Sequence, residues 1–573
     1  MNRIVKSISI ACIGIIFLSV GCKKNEGISR SKTLVTSILA DANFLNPVIA
    51  SSFETALILE QLYPTLLITD FDTAKGVLEF RVDEGSLAES FSIAEDSKSI
   101  TYKLRPTAKW NDGTPITPAD FRFSYELYGD TAVKSLRQQY LSDFVRKESG
   151  EIDIEKAIEI TDSKTVTFHF AKPLPKNLLF FRSNLPPIPK HVWENVERST
   201  MRQSPFNQNP VTARWYKLEK WSRNSELSLV PDKANTNGPA GTLDRVVYRV
   251  IPDYTARLTQ IQTGDLDIVE TVKPEDIKPL LEKNPNIEIK VVPPRAIDHI
   301  TYPAIDLEAY QKGKLVPHPI FGSKKVRQAF TLAINRQSII EGYLGSYGMI
   351  ANSDISPIFK WAYNKNIVPH PYDPKEAARL LDEEGWKIGN DGIREKKGVK
   401  MRIKLYLNSG NARRAYASNI VQANWKDIGV ACELVEVESN TFFSEITNRK
   451  YNHPVFAGTA VGLEIDPKDN WSSDFKKARF NWAGYQIPRL DTLMQLASSE
   501  PNLEQAAKYW MEFQVILHDE QPRTFMYWVL QTHAFSKNIQ NSEVSVTTTY
   551  EKMYRWKMNA GGNLSTASFF TVE

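Results

Sequence analysis

Apolar positions along the chain recur with two periods, one typical of strands and one typical of helices. Residues 33–38 and 165–170 are short runs rich in β-branched and apolar side chains, which predict strands. Residues 325–336 place Val326, Phe330 and Ile334 at helical spacing, which predicts a helix with one apolar face. Strands therefore alternate with helices of about three turns, and this alternation favours an α/β fold built in layers.

The same patterns predict elements along most of the chain. The predicted strands span residues 33–38, 100–104, 165–170, 243–251, 266–270, 287–292, 401–407, 430–437 and 525–529. The predicted helices span residues 53–62, 254–262, 273–283, 325–336, 373–381, 412–427, 489–497 and 503–519, and a further helix begins at residue 118. Residues 174–189 are rich in proline and are predicted to be irregular.

Residues 109–126 carry the clearest local signals. Asn111-Asp112-Gly113 predicts a tight turn, because glycine accepts positive φ and Asn and Asp side chains cap their own backbone. Thr117 is a typical N-cap, Pro118 suits the first helical position, and Asp120 favours the positive end of the helix dipole. The segment therefore predicts a turn followed by a capped helix.

The amino terminus has the pattern of an export signal. Arg3 and Lys6 precede an uncharged stretch at residues 8–20, and Cys22 follows small residues, as in the lipobox of bacterial lipoproteins. We predict a signal peptide at residues 1–21, lipid attachment at Cys22, and a polar tether over residues 22–32. The chain would then be anchored to a membrane through lipid. The alternatives are an ordinary cleaved signal or an uncleaved anchor.

Bulk composition excludes some classes of partner. The chain has 573 residues, enough for about two to four folding units. It carries 71 Lys and Arg against 67 Asp and Glu, a nearly balanced charge that gives no reason to expect nucleic acid as a partner. Of its three cysteines only Cys432 lies beyond the amino-terminal region, so no disulfide is expected within the body of the protein.

Catalytic motifs are lacking. The sequence has no H-E-x-x-H, G-x-S-x-G, P-loop or G-x-G-x-x-G pattern, and its eight histidines are scattered. An S-x-x-K match at residues 29–32 falls in the tether, without partner motifs. The Pro-His-Pro tripeptides at residues 317–319 and 369–371 are interpreted as rigid loops, with metal binding as the alternative. We predict no enzyme activity, no cofactor and no metal site.

Several blocks resemble one protein family. Residues 109–126 resemble the W-x-D-G-x-P-x-T-x-x-D-F block of family 5 extracellular solute-binding proteins, the large peptide- and nickel-binding receptors of ABC importers. Residues 325–336 resemble the family's V-R-Q-A-x-x-x-A-I-[DN]-R helix, and residues 263–268 its T-G-D-L-D-I segment. The resemblance runs in scattered blocks over residues 34–529. It implies a two-lobed, periplasmic-binding-protein-like α/β fold of type II in its large three-subdomain form, with a hinge and an interlobe cleft.

The resemblance also implies an organisation and a role. Lobe I would span residues 33–292 with an inserted subdomain at about 68–205, lobe II residues 293–522, and residues 523–573 would return to lobe I. A monomer on the periplasmic or envelope face of a bacterial membrane would capture an oligopeptide or related small solute by lobe closure. It would then deliver that ligand to an ABC permease. The alternatives are an orphan receptor or adhesin of the same fold, or a periplasmic hydrolase.

Three segments depart from the family pattern and bear on the ligand. Residues 209–218 lack the family's glycines, and residues 298–304 replace an Asn-rich strand and include Tyr302. In peptide-binding relatives an aspartate in a W-x-A-D-Y-x-x-P segment holds the ligand's amino group; here that register gives Leu463, so Glu464 or Asp466 would have to substitute. By family position the cleft-wall candidates are Phe53, Trp482 and Tyr485.

Overall fold

The computed structural model describes residues 32–476 and 478–559. The predicted signal peptide, Cys22 and nearly all of the predicted tether lie outside the described residues. Among the described residues, no helix is both long enough and apolar enough to cross a bilayer.

The strands, numbered in chain order, are β1 Thr33–Ile38, β2 Ile68–Asp72, β3 Val77–Arg81, β4 Ala88–Ile93, β5 Ser99–Leu104, β6 Ile158–Ile160, β7 Thr165–His169, β8 Tyr216–Ser222, β9 Glu226–Pro231, β10 Arg245–Val250, β11 Ile268–Val269, β12 Ile287–Thr301, β13 Gly348–Ile350, β14 Lys387–Ile388, β15 Arg394–Lys396, β16 Val399–Lys400, β17 Arg402–Asn408, β18 Ala431–Val437, β19 Val455–Ala460, β20 Arg523–Ser536, β21 Ile539–Gln540 and β22 Lys557–Met558.

The α-helices are α1 Phe53–Leu62, α2 Pro118–Gly129, α3 Ile154–Ala157, α4 Lys176–Ser183, α5 Lys190–Trp193, α6 Tyr254–Thr263, α7 Pro274–Lys283, α8 Leu307–Gln311, α9 Lys324–Leu332, α10 Arg336–Ile339, α11 Pro374–Glu383, α12 Ala412–Asp427, α13 Ser439–Thr447, α14 Lys468–Trp471, α15 Pro488–Ser499 and α16 Leu503–Glu520. Short 3₁₀ turns and one π turn at Ile340–Leu344 join them.

One large mixed sheet runs through the molecule in the order β18-β17-β19-β12-β20-β11-β1-β10-β9-β8, with β13 on β20. Its centre is the long antiparallel pair β12 and β20, which stay paired from Ile287 opposite Ser536 to Thr301 opposite Arg523. Parallel pairs lie towards both ends, β1 with β10 and β17 with β18. A separate four-stranded antiparallel sheet, β4-β5-β7-β6, follows α1 in the sequence.

Buried apolar side chains gather into several cores along this sheet. One core holds residues from β1, α1, the β4–β7 sheet and β8–β10, together with the closing segment around Tyr550 and Trp556. A small neighbouring core lies under α6 and α7. The remaining two cores take residues from β12 onward, on α9, α12, α15 and α16, and one of them also holds Phe71 and Leu78 of the β2–β3 hairpin. Residues of β12 and β20 belong both to the cores built mainly before β12 and to the cores built mainly after it. These two strands therefore link the two halves of the molecule, the part before β12 and the part after it.

The turn and cap predicted at residues 109–126 are confirmed. Gly113 has φ of +91°, and α2 begins at Pro118 behind Thr117 as its N-cap. Asp120 is buried, and its Oδ2 accepts from the Thr117 amide at 2.8 Å while its Oδ1 accepts from the Lys190 amide at 2.9 Å. The carboxylate therefore caps α2 and also ties it to the start of α5.

Two sequence predictions are wrong. Residues 174–189 are not irregular throughout, because Lys176–Ser183 forms α4; the prolines flank this helix, and Leu179 and Phe180 pack into the core from it. The strand predicted at residues 287–292 continues to Thr301, because a register shift between Val292 and Ala296 accommodates the two intervening prolines. The strand ends two residues before Pro303.

Candidate functional site

A pocket of about 80 Å³ lies at the end of β19, where the loop of residues 461–467 begins. Its lining combines apolar walls with hydrogen-bond acceptors: Ile297, Asp354, Ile355, Phe359, Thr459, Ala460, Val461, Gly462, Glu464, Ile465, Asp466, Pro467 and Asn470. Two of the predicted ligand-binding residues, Glu464 and Asp466, are therefore brought together in one cavity.

The backbone of the loop is held from the neighbouring strand. The Val461 amide donates to the carbonyl of Arg295 on β12 at 2.7 Å, and the Arg295 guanidinium donates back to the Val461 carbonyl at 3.0 and 3.1 Å. The same guanidinium donates to the carbonyl of Val546 at 2.6 Å. Arg295 therefore joins the first residue of the pocket loop to the closing segment of the chain.

The opposite wall carries a buried carboxylate. Asp354 is 8% exposed, and its Oδ2 accepts from Arg523 at 3.0 Å and from the indole N–H of Trp471 at 2.8 Å. Arg523 also donates to Asn470 at 3.1 Å and lies over the Trp471 ring. Burial raises the pKa of Asp354, while the charge of Arg523 acts against that shift.

Two carboxylate oxygens of the pocket lack a partner among the described residues. These are Oδ1 of Asp354 and Oε1 of Glu464, both shielded from solvent. Burial raises the pKa of Glu464 to about 7, and the positive charge of Arg182 opposes the shift. Arg182 belongs to α4, far away in sequence, so the pocket loop lies near that helix. The pocket is thus acidic and rich in free acceptors.

A charged cluster beside the pocket joins β12 to α12 next to β19. Asp298 on β12 is buried and pairs with Arg413 at 2.8 Å and with Arg414 at 2.9 Å, both from α12. These guanidinium groups hold the pKa of Asp298 below its usual value despite its burial. Gly458 on β19 leaves the room they need, since a Cβ there would come within 2.2 Å of Nη2 of Arg414.

The other predicted site residues do not line this pocket. Phe53 is 63% exposed at the start of α1, and Trp482 is buried in a core. The hydroxyl of Tyr485 donates to the carbonyls of Tyr302 and Pro522 at 3.0 and 3.1 Å, and Tyr302 is itself fully buried. Tyr302 and Tyr485 therefore stabilise a core in this conformation, and their contact with a ligand stays a prediction.

The altered loop at residues 212–215 turns inward. Arg214 donates to the carbonyl of Tyr63 at 2.9 Å and stacks on Trp215, which in turn stacks on Tyr554 with ring centroids 4.2 Å apart. Burial lowers the pKa of Arg214 to about 10, although Glu60 favours its charged form. Both of these side chains, in the segment that lacks the family's glycines, are thus occupied in packing within the core.

Sequence reasoning missed three polar residues of the pocket: Asp354, Thr459 and Asn470. Asp354 lies in a Ser- and Pro-containing stretch that predicts only a loop, and nothing local marks it as buried. Thr459 occupies one position of a short strand, where its hydroxyl is hydrogen-bonded to His299 at 2.9 Å. No local sequence pattern marks these three residues as neighbours of Glu464.

The histidines occupy structural positions. His318 of the first Pro-His-Pro segment is buried, and its Nδ1 accepts from the amides of Ile320 and Phe321. His370 of the second stacks on His518 with ring centroids 4.2 Å apart. Within residues 32–476 and 478–559 no group of three or more His, Cys, Asp or Glu side chains is arranged to hold a metal ion.

Comparison with known proteins identifies the family. The model for bacterial extracellular solute-binding proteins, family 5 (middle), matches residues 84–482, more than half of the chain. The oligopeptide-binding protein AppA of Bacillus subtilis is 26% identical over 557 residues, which are 95% of each chain. The dipeptide-binding protein of Escherichia coli is 24% identical over 460 residues, covering 76% of this chain and 79% of that protein.

Solved structures show the same fold. AppA of Bacillus subtilis in complex with a nonapeptide has a TM-score of 0.69 at 25% identity, covering 92% of this chain and 98% of that chain. NikZ of Campylobacter jejuni in complex with Ni(L-His) has a TM-score of 0.72 at 22% identity, covering 92% and 99%. The predicted two-lobed, type II periplasmic-binding-protein-like α/β fold is confirmed. The chain belongs to the bacterial extracellular solute-binding proteins of family 5.

Proposed function

We propose that this protein is the substrate-binding component of an ABC importer, which captures a peptide or related small solute and delivers it to a membrane permease. The observation that carries the proposal is the acidic pocket at residues 460–467, because a binding site needs a concave surface with a few free polar groups between apolar walls. The names of relatives in the same family, an oligopeptide-binding and a dipeptide-binding protein, support a peptide as ligand.

Capture would proceed by closure of one lobe on the other. Such closure is a shift of an open–closed equilibrium towards the form that makes more contacts with the ligand. Contacts between the halves support this view: Phe71 and Leu78 of the β2–β3 hairpin belong to a core otherwise built from later residues, and the hydroxyl of Tyr343 donates to Glu275 at 3.0 Å. The lobe boundaries predicted from the sequence are part of the proposal.

No bond would be made or broken in this cycle, so the protein would leave each cycle with its ligand unchanged. The competing roles are an orphan receptor or adhesin of the same fold and a periplasmic hydrolase. Native mass spectrometry of the protein purified from its own host distinguishes them. We expect a stoichiometric complex with a retained solute, and thermal stabilisation of about 2.7 kcal/mol when that solute is added at a hundredfold excess over its dissociation constant. Turnover of a substrate without a retained complex would contradict the proposal.

Anchoring forms a second part of the proposal. We propose that Cys22 carries the lipid and holds a monomer on the periplasmic or envelope face of the membrane. Cys22→Ser should move the protein from the membrane fraction to the soluble fraction, because each buried acyl methylene contributes roughly 0.8 kcal/mol to membrane binding. Cys12→Ser is the matched control and should leave the protein on the membrane. Lack of lipid on the unaltered chain after metabolic labelling would rule out this anchor.

A further inference from the structure

The β2–β3 hairpin belongs to the first half of the molecule in sequence but packs into the second half. Phe71 and Leu78 lie opposite each other on its two strands and are 5% and 4% exposed. Residues directly opposite on an antiparallel pair present their side chains on the same face. The core that buries this face consists otherwise of residues from β12 onward, among them Ile355 and Phe359.

The base of the hairpin is held in the first half. The side chain of Asn184 accepts from the Leu67 amide at 2.8 Å and donates to the Leu67 carbonyl at 3.0 Å. Phe80 on β3 stacks on Phe180 of α4, with ring centroids 5.3 Å apart. These contacts tie the hairpin to the part of the molecule before β12, although its apolar face is buried beyond that part.

The partner of the hairpin is a loop at residues 354–362, here called the wall loop. Three of its residues line the pocket: Asp354, Ile355 and Phe359. The loop is held in the second half, because Oγ of Ser356 donates to the carbonyl of Pro294 on β12 at 2.6 Å. At its other end Gln514 of α16 donates to the carbonyl of Ala362 at 2.8 Å.

The hairpin contacts the wall loop through side chains and through backbone. The rings of Phe71 and Phe359 meet edge to face, with centroids 6.4 Å apart. Gly76 in the hairpin turn has φ of +76°, and a Cβ there would lie 2.3 Å from the carbonyl oxygen of Ile358 and from the amide nitrogen of Lys360. None of the described residues that line the pocket belongs to the hairpin. The hairpin therefore supports the wall of the pocket without facing the cavity.

We infer that the β2–β3 hairpin is a positioning element of the binding site, which holds the wall loop, and Phe359 in particular, in place when the two lobes are closed. The inference rests on the proposed function and adds to it a link between lobe closure and formation of the pocket. When the lobes part, the hairpin leaves the wall loop, since each is tied to a different half. Phe71 and Leu78 then meet water, which opposes opening.

This arrangement has a consequence for affinity. A ligand finds the pocket with its wall supported only in the form in which the hairpin is docked. The apparent affinity of a ligand falls in proportion to the fraction of protein in the form that can bind it. A change that releases the hairpin should therefore weaken binding, although no atom of the hairpin lines the pocket.

Hydrogen–deuterium exchange with mass spectrometry tests the support of the wall loop in the full chain without added ligand. Phe71→Ala should speed exchange of the amides of residues 354–362 by about tenfold, because the loop opens locally once its support is lost. Phe71→Leu keeps an apolar side chain and should restore slow exchange. Leu136→Ala is the matched control in the first half, since Leu136 is 62% exposed. Unchanged exchange of the wall loop in Phe71→Ala would overturn the inference.

A wedge in the hairpin turn tests the same contact without truncating a core side chain. Gly76→Ala and Gly113→Ala share the strain of a positive φ, but only at Gly76 would the new Cβ meet backbone of the wall loop. Faster exchange of residues 354–362 is expected in Gly76→Ala alone. Equal exchange in these two variants would overturn the inference, and this comparison stands even where Phe71→Ala does not fold.

Isothermal titration calorimetry with trialanine tests the link to binding. Phe71→Ala and Gly76→Ala should bind trialanine about tenfold more weakly than the unaltered protein and Gly113→Ala do. Equal affinity in all four proteins would contradict the inference. A lack of trialanine binding by the unaltered protein would count against the peptide ligand of the proposed function, whereas the exchange measurements would still decide the role of the hairpin.

Discussion

Asp298→Asn offers a direct measurement of how much the buried ion cluster stabilises the sheet beside the pocket. Asp298 is 1% exposed and accepts four hydrogen bonds from two guanidinium groups, at 2.8 and 3.3 Å from Arg413 and at 2.9 and 3.2 Å from Arg414. The amide has nearly the same shape, so the substitution removes charge without leaving a cavity. Two cations, the buried Arg414 and the partly exposed Arg413, then lose their counter-ion.

The magnitude follows from that geometry. Removing one partner of a buried ion pair costs about 3–5 kcal/mol, because the remaining charge stays out of water without compensation. The Arg414 side chain is 9% exposed and cannot recover its hydration without moving, so we expect a value in that range. Since Asp298 joins β12 to α12 next to Gly458 on β19, the loss should also loosen the wall of the pocket.

Urea unfolding followed by tryptophan fluorescence at pH 7 provides the assay. The matched control is Glu512→Gln, which removes one charge from an exposed pair with Arg489, with side chains 43% and 50% exposed. That change should cost less than about 1 kcal/mol. A loss for Asp298→Asn no larger than that for the control would refute the reasoning.

The pH dependence of this effect has a definite sign. The two arginines hold the pKa of Asp298 below its usual value, so its stabilising contribution is present above the unfolded pKa of about 3.9. That contribution is lost as the pH falls through the lower folded pKa. The difference in melting temperature between the variant and the unaltered protein should therefore persist from pH 7 down to about pH 4 and shrink below it.

Three further predictions concern other parts of the molecule. Gly76→Val should lower the melting temperature more than Gly113→Val. Both positions have positive φ, which costs a valine roughly 1–3 kcal/mol, but only at Gly76 would the new Cβ come within 2.3 Å of the backbone of Ile358 and Lys360. Equal losses in the two variants would exclude a tight contact at Gly76. Glu270→Gln should stabilise the protein by little near pH 4.5 and by up to about 3 kcal/mol at pH 8. Burial raises the pKa of this carboxyl from 4.5 to about 7, so its cost to folding grows between these two pH values and is complete above the second. A difference in melting temperature that stays constant from pH 4.5 to pH 8 would contradict this. Alkylation of Cys432 at pH 8 should be at least tenfold slower in the folded protein than in urea, because burial raises the pKa of the thiol to about 12. Peptide mass spectrometry measures the two rates, and equal rates would refute this prediction.

Local sequence signals predicted most elements well. The helices at residues 53–62 and 412–427 have the predicted bounds, and the cap at Thr117 begins α2 where expected. Such signals succeed because caps, turns and apolar periodicity act between residues only a few positions apart. They failed at residues 174–189, where flanking prolines concealed the buried face of α4.

The site could be predicted only in part. The departure at residues 460–467 pointed to Glu464 and Asp466, and both line the pocket. Asp354 and Asn470 could not be found, because their position depends on packing between segments far apart in the chain. Arg214 and Trp215 lie in the segment that lacks the family's glycines, yet Arg214 stacks on Trp215, and Trp215 stacks on Tyr554 near the other end of the described chain.

The sequence by itself determined the elements, the α/β class and, through short blocks at residues 109–126 and 325–336, the family. These properties depend on local backbone preferences and on patterns that a single stretch of chain contains. Only the tertiary structure decided that β12 and β20 run as one long pair through both halves, that Tyr302 and Tyr485 are core residues in this conformation, and that two carboxylate oxygens remain free in one small pocket. Burial and the pairing of charges are properties of neighbours in space, and here those neighbours are more than a hundred residues apart in sequence.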